Sequence, residues 1–147
     1  MKTLAWLKRV SMTELIRVGD MLDEGQLIPH INVTTFDGSR FVYSGIWQRK
    51  NVVVVSLPHQ ESTANDKYLS QLTSYLSELT GNDTACVITT DDIPDIPAPG
   101  VVVADRWGEI HYVTHTNHVE QLPGPQELVE WLRYIRNRCP ECEGEAK

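Results

Sequence analysis

The chain has 147 residues, of which 41% are hydrophobic and 22% charged, with a formal charge of −7 at pH 7. That length fits one ordinary domain with a real core. The acidic balance argues against a nucleic-acid binder, which needs a basic face for phosphates, and no apolar run approaches the ~20 residues that span a bilayer.

Residues 1–18 predict an amphipathic helix. Leu4, Leu7, Leu15 and Ile16, with Trp6 and Val10, form a broad apolar stripe. Lys2, Lys8, Arg9 and Arg17 outnumber a single acid, Glu14. Two placements fit: packed on its own domain, or docked on a partner or a membrane surface. Lys8 and Arg9 break the apolar positions and no small-residue cleavage site follows, so the start does not read as a secretory signal. Three cysteines are too few for a disulfide scaffold. The expected setting is reduced and cytoplasmic.

Residues 19–29 read as a loop. INVTTF (31–36) and RFVY (40–43) flank Asp37-Gly38-Ser39, a turn signal between two β-rich runs, and predict a hairpin. VVVVSL (52–57) is apolar and β-branched without alternation, which suits a central strand covered on both faces. A helix follows, with Ser62 or Thr63 to cap its first amides. Leu69, Leu72, Leu76 and Leu79 fall on one face, and Gly81 is placed to end it. ACVITT (85–90) is the next strand, and 91–100 is a loop holding Pro94, Pro97 and Pro99. VVVAD (101–105) and EIHYVTH (109–115) form a second hairpin around Arg106-Trp107-Gly108. The last helix starts near Pro125, turns Leu128, Trp131, Leu132 and Ile135 inward, and stops at Pro140. This order predicts an α/β domain, a mixed sheet flanked by helices. The expected organisation is the N-terminal helix at 1–18, one domain at 19–138, and a tail at 139–147.

Four features in this order give the chain a resemblance to the thioredoxin-like fold, in the form seen in redoxins of the peroxiredoxin or alkyl hydroperoxide reductase type. They are Pro29 with INVTTFDGSRF, VVVVSLP leading into a helix, PGVVVADRWGEIHYV, and the terminal amphipathic helix. Together they span roughly 19–135. The resemblance implies a redox centre where strand 52–57 meets the next helix. Peroxiredoxins carry Pro-x-x-x-Thr-x-x-Cys there. On this chain Pro58 takes the proline place, Ser62 the threonine place, and Asn65 the place of the peroxidatic cysteine. A thioredoxin-type Cys-x-x-Cys alignment falls on Glu61 and Ala64 instead. Neither alignment yields a sulfur, and the family's arginine has no evident counterpart. The family's cis-proline corresponds to Pro99, after Ala98.

Peroxide reduction and disulfide exchange need a thiolate. Asn65 cannot supply one, and Ser62 needs an activating base. His59 is the nearest base, but the sequence shows no acid to orient it. The helix start, with Ser62, Thr63 and Asn65, has amides suited to an anion or a peptide carboxylate, although Glu61 opposes negative charge. A plain helix cap at Ser62, or a peptide-binding surface beside Pro99, are the readings left open. Pro58, His59, Ser62, Thr63, Asn65 and Pro99 are the site candidates.

The tail carries the more specific chemical signal. Cys139 and Cys142 form Cys-Pro-Glu-Cys, spaced for a redox dithiol or for half of a tetrahedral site for zinc or another thiophilic metal. A metal needs two further ligands, from a second chain in a dimer or from His111, His115 and His118. His111 and His115 share one face of the final strand, because side chains there repeat every two residues, but the sequence gives no reason for that face to meet the tail. The helix C-terminus disfavours a thiolate. Arg136 and Arg138 favour it, while Glu141 and Glu143 oppose it. Cys139 also continues the Leu128, Leu132, Ile135 face as a small core residue. Cys86 reads as structural. Asp91, Asp92 and Asp95 read as a solvated loop rather than a cation site.

Three functions follow from these features. The favoured one is a non-catalytic module that binds a protein partner or pairs with itself, with the tail as a metal or redox element. The second is a thiol–disulfide oxidoreductase using Cys139 and Cys142. The third is metal-linked dimerisation through the tail.

Overall fold

A computed structural model of the chain describes residues 22–59, 62–81 and 83–137. The helix expected at 1–18, Glu61, and the tail with Cys139, Pro140 and Cys142 lie outside the described residues. Among the described residues no helix is long and apolar enough to cross a membrane.

The core is a four-stranded mixed sheet in the order β4-β3-β5-β6. β3 (Asn51–Ser56) runs parallel to β4 (Thr84–Thr89) and antiparallel to β5 (Gly100–Ala104), which pairs antiparallel with β6 (Ile110–His115). All six residues of β3 are buried. Side chains alternate across a strand, so Val53 and Val55 enter one core and Val52 and Val54 the other. The continuous valine run is therefore two apolar faces read in one line. The small hairpin of β1 (Asn32–Thr34) and β2 (Arg40–Val42) lies apart from this sheet and turns at Gly38, whose φ of +90° suits glycine. It feeds Val33 into the second core, with Ile28, Ile31 and Tyr43 from the adjoining chain.

The first core is covered by α1 (Thr63–Ser74), a short α2 (Leu76–Thr80) and α3 (Pro125–Asn137). Tyr68, Leu72, Leu79, Leu128, Leu132 and Ile135 all pack there. The single leucine-faced helix expected from Ser62 to Gly81 is instead broken at Tyr75, with φ −112° and ψ 15°. Just before the break, Thr73 Oγ1 bonds back to Leu69 O and Ser70 O, and Ser74 Oγ to Gln71 O. Such back-bonding competes with the helical ladder and bends it. Leu72 and Leu79 stay buried, Leu69 is partly buried, and Leu76 turns outward with 38% exposed. Gly81 does end the element, at φ +50°.

The β5–β6 hairpin departs from regular alternation. Ala104 pairs with Ile110 but Val103 pairs with Tyr112, so His111 is the extra residue of a β-bulge. Tyr112 packs on the first core and Val113 on the second. Alternation from Tyr112 sends His115 to the Val113 side. His111 faces α3, where its ring lies 6.1 Å from Tyr134. The expectation that His111 and His115 share a face is thus corrected, and the bulge is the reason.

Candidate functional site

The junction after β3 is held by hydrogen bonds. Ser62 caps α1, its Oγ accepting the Asn65 amide at 3.1 Å. Asn65 is buried, and its Nδ2 donates to Pro58 O at 3.2 Å. One side chain therefore ties the first helical turn to the end of the strand. The Ala98–Pro99 bond is cis. Pro58, Ser62, Asn65 and Pro99 line one open depression of about 190 Å³ together with Asn117, His118, Val119 and Glu120. That volume is below the ~300 Å³ at which small-molecule pockets begin. A second depression of about 120 Å³ shares Ala64, Val119 and Glu120 with the first and continues past Lys67 and Gln71. The two form a track along the flank of α1.

Thr63 and His59 stand outside this lining. Thr63 is exposed at the helix start. His59 Nε2 lies 3.1 Å from Asp92 Oδ1, with the two side chains 65% and 95% exposed. An acid partner for His59 does exist, contrary to the sequence reading, but so exposed a pair contributes little. Ser62 Oγ meanwhile serves as a cap acceptor. Asp91 braces the β1 end, its carboxylate accepting Thr34 N at 2.8 Å.

The three histidines considered as partners for the tail are dispersed. His115 Nδ1 lies 3.2 Å from Pro99 O, and His118 lines the junction. Both sit at the C-terminal end of β3. Only His111 is at the other end, where α3 finishes: Arg136 Nε reaches both carboxylate oxygens of Asp83 just before β4, at 2.9 and 3.1 Å. Sequence reading missed Asn117 and Glu120 as junction residues. They precede and enter the short 3₁₀ turn Val119–Gln121, which no periodic pattern marks. Cys86, the cysteine among the described residues, is partly buried and its thiol is pushed up to about 12 by burial. Burial therefore disfavours its thiolate, the reactive form.

No protein-family model and no curated protein matches the chain. Solved structures do match. A reduced 2-Cys peroxiredoxin of Plasmodium vivax aligns with 77% of this chain and 81% of its own, at TM-score 0.61 and 11% identity. A yeast mitochondrial 1-Cys peroxiredoxin aligns over 82% and 84%, at TM-score 0.60 and 11% identity. A putative protein disulfide isomerase of Bacteroides thetaiotaomicron aligns over 78% and 90%, at TM-score 0.53 and 16% identity. The chain therefore has a thioredoxin-like fold, similar to that of the peroxiredoxins. At these identities the likeness concerns the fold, and function must be argued from the site.

Proposed function

We propose that this redoxin-like chain is a non-catalytic binding module. Its junction holds a segment of a partner polypeptide, and Cys139 and Cys142 serve as an accessory metal or redox element. The observation that carries this reading is the Asn65 carboxamide. Asn65, to which the motif alignment gives the place of the peroxidatic cysteine, is buried and donates to Pro58 O, on a helix whose cap accepts Asn65 N. Neither group is a thiolate or can become one. What is left is an open depression lined by the polar Ser62, Asn117, His118 and Glu120 and the apolar Pro58, Pro99 and Val119. Peptide sites combine such apolar pockets with a few placed polar groups.

Native mass spectrometry of the gently isolated full chain tests this. A stoichiometric polypeptide partner, or a second copy, is expected. The double variant His118→Ala with Glu120→Ala should release it, since both residues are exposed and their loss leaves the core intact. An unchanged complex in that variant would place the partner elsewhere, and a strictly solitary wild-type chain would contradict the reading.

The Cys-Pro-Glu-Cys spacing favours a second reading, thiol–disulfide exchange at the tail. Thiol titration in a glutathione buffer decides it. A pair that never forms a disulfide rules it out.

A further inference from the structure

The β5–β6 turn gathers ligand atoms that the junction does not use. Asp105 follows β5, and Glu109 and His111 stand at the start of β6. One ligand atom from each lies within 4.8 Å of the other two. Asp105 Oδ1 accepts Trp107 N at 2.9 Å and Glu109 N at 3.0 Å, which turns Oδ2 to His111 Nε2, 2.9 Å away. The side chains of His111 and Asp105 are only 9% and 7% exposed. Burial alone would raise the Asp105 carboxyl, but the bond from His111 and the two backbone amides hold it below the ordinary value.

One further feature makes this more than a braced turn. The bulge takes His111 out of the ladder and places its ring between Asp105 and Tyr134 of α3. Bulges commonly re-aim a side chain in this way.

We propose that Asp105, Glu109 and His111 form a site for a zinc-class divalent cation, with the fourth position open. One imidazole and two carboxylates are zinc ligands, and donors around a tetrahedral zinc stand roughly 3.3 Å apart. Asp105 Oδ2 and His111 Nε2 share a proton at 2.9 Å; the ion takes that proton's place, the proton leaves to solvent as the two atoms move slightly apart, and rotation of the Glu109 side chain brings in the third ligand. The paired backbone amides on Asp105 are the outer support that orients a ligating carboxylate.

The test is calorimetric titration of zinc chloride into the chelator-treated full-length chain carrying Cys139→Ser and Cys142→Ser, which separates this site from the tail. One ion per chain is expected. Adding Glu109→Gln, which leaves the Asp105–His111 bond in place, should weaken binding at least about tenfold, while urea unfolding confirms that this variant is folded. Adding His111→Asn should abolish binding. The proposal is overturned if the double-serine chain takes up no zinc, or if Glu109→Gln binds as tightly as its parent.

Discussion

The Asn65 carboxamide reaches from the first turn of α1 to the carbonyl of Pro58, while its backbone amide is taken by Ser62. A buried polar group held this way is costly to disturb, because its partner is left unsatisfied. Asn65→Ala should lower unfolding free energy by about 1–3 kcal/mol, read as a reduced urea midpoint at unchanged slope. Ser62→Ala should cost about 1 kcal/mol through the lost cap. The cap bond is donated by the Asn65 backbone amide, which Asn65→Ala keeps, so the two variants remove different bonds and their losses should be close to additive. A double variant that fell well short of the sum would show that the clip and the cap act as one unit.

The helices separate what a sequence pattern can show from what it cannot. The faces of α3 and β3 were legible, because Leu128, Leu132 and Ile135 keep the helical period and Val52 to Val55 are apolar at every position. The break at Tyr75 was not, since it depends on Thr73 and Ser74 hydroxyls turning back to carbonyls, and both residues also occur in unbroken helices. Substitution distinguishes the two geometries. Leu72→Ala and Leu79→Ala should each cost about 2–5 kcal/mol as buried truncations. Leu76→Ala should stay within about 0.5 kcal/mol, as a surface change does. Equal losses at all three would restore the single continuous helix.

The end of α3 is fastened by Arg136 to Asp83 and Thr84. Partial burial pushes the Asp83 carboxyl upward, but bonds from Arg136 and Thr84 and the guanidinium charge outweigh it, so its net position is lowered. A depressed carboxylate contributes stability above its unfolded value, near 3.8, and loses it as pH falls through the folded value. The thermal midpoint of Asp83→Asn should therefore lie below wild type at pH 7, and the gap should close below about pH 4. A gap that persisted at pH 2 would mean that packing, not charge, fastens this end.

At the scale of the whole molecule, order and spacing of elements revealed the architecture, and Pro58, Ser62, Asn65 and Pro99 line one depression. The rest of that lining was hidden. His118 and Glu120 reach it only because the chain after β6 folds back through a 3₁₀ turn. The bulge at His111 was equally silent, since a bulge is defined by pairing and not by residue type.

The account turns on the absence of thiol chemistry at the junction. The direct measurement is reduction of hydrogen peroxide and of a protein disulfide by the full chain carrying Cys139→Ser and Cys142→Ser, in the presence of excess dithiol. The expected rate is that of the buffer alone, because Cys86 is the one sulfhydryl left and burial keeps it protonated. Turnover above that rate would contradict a junction whose role is to bind.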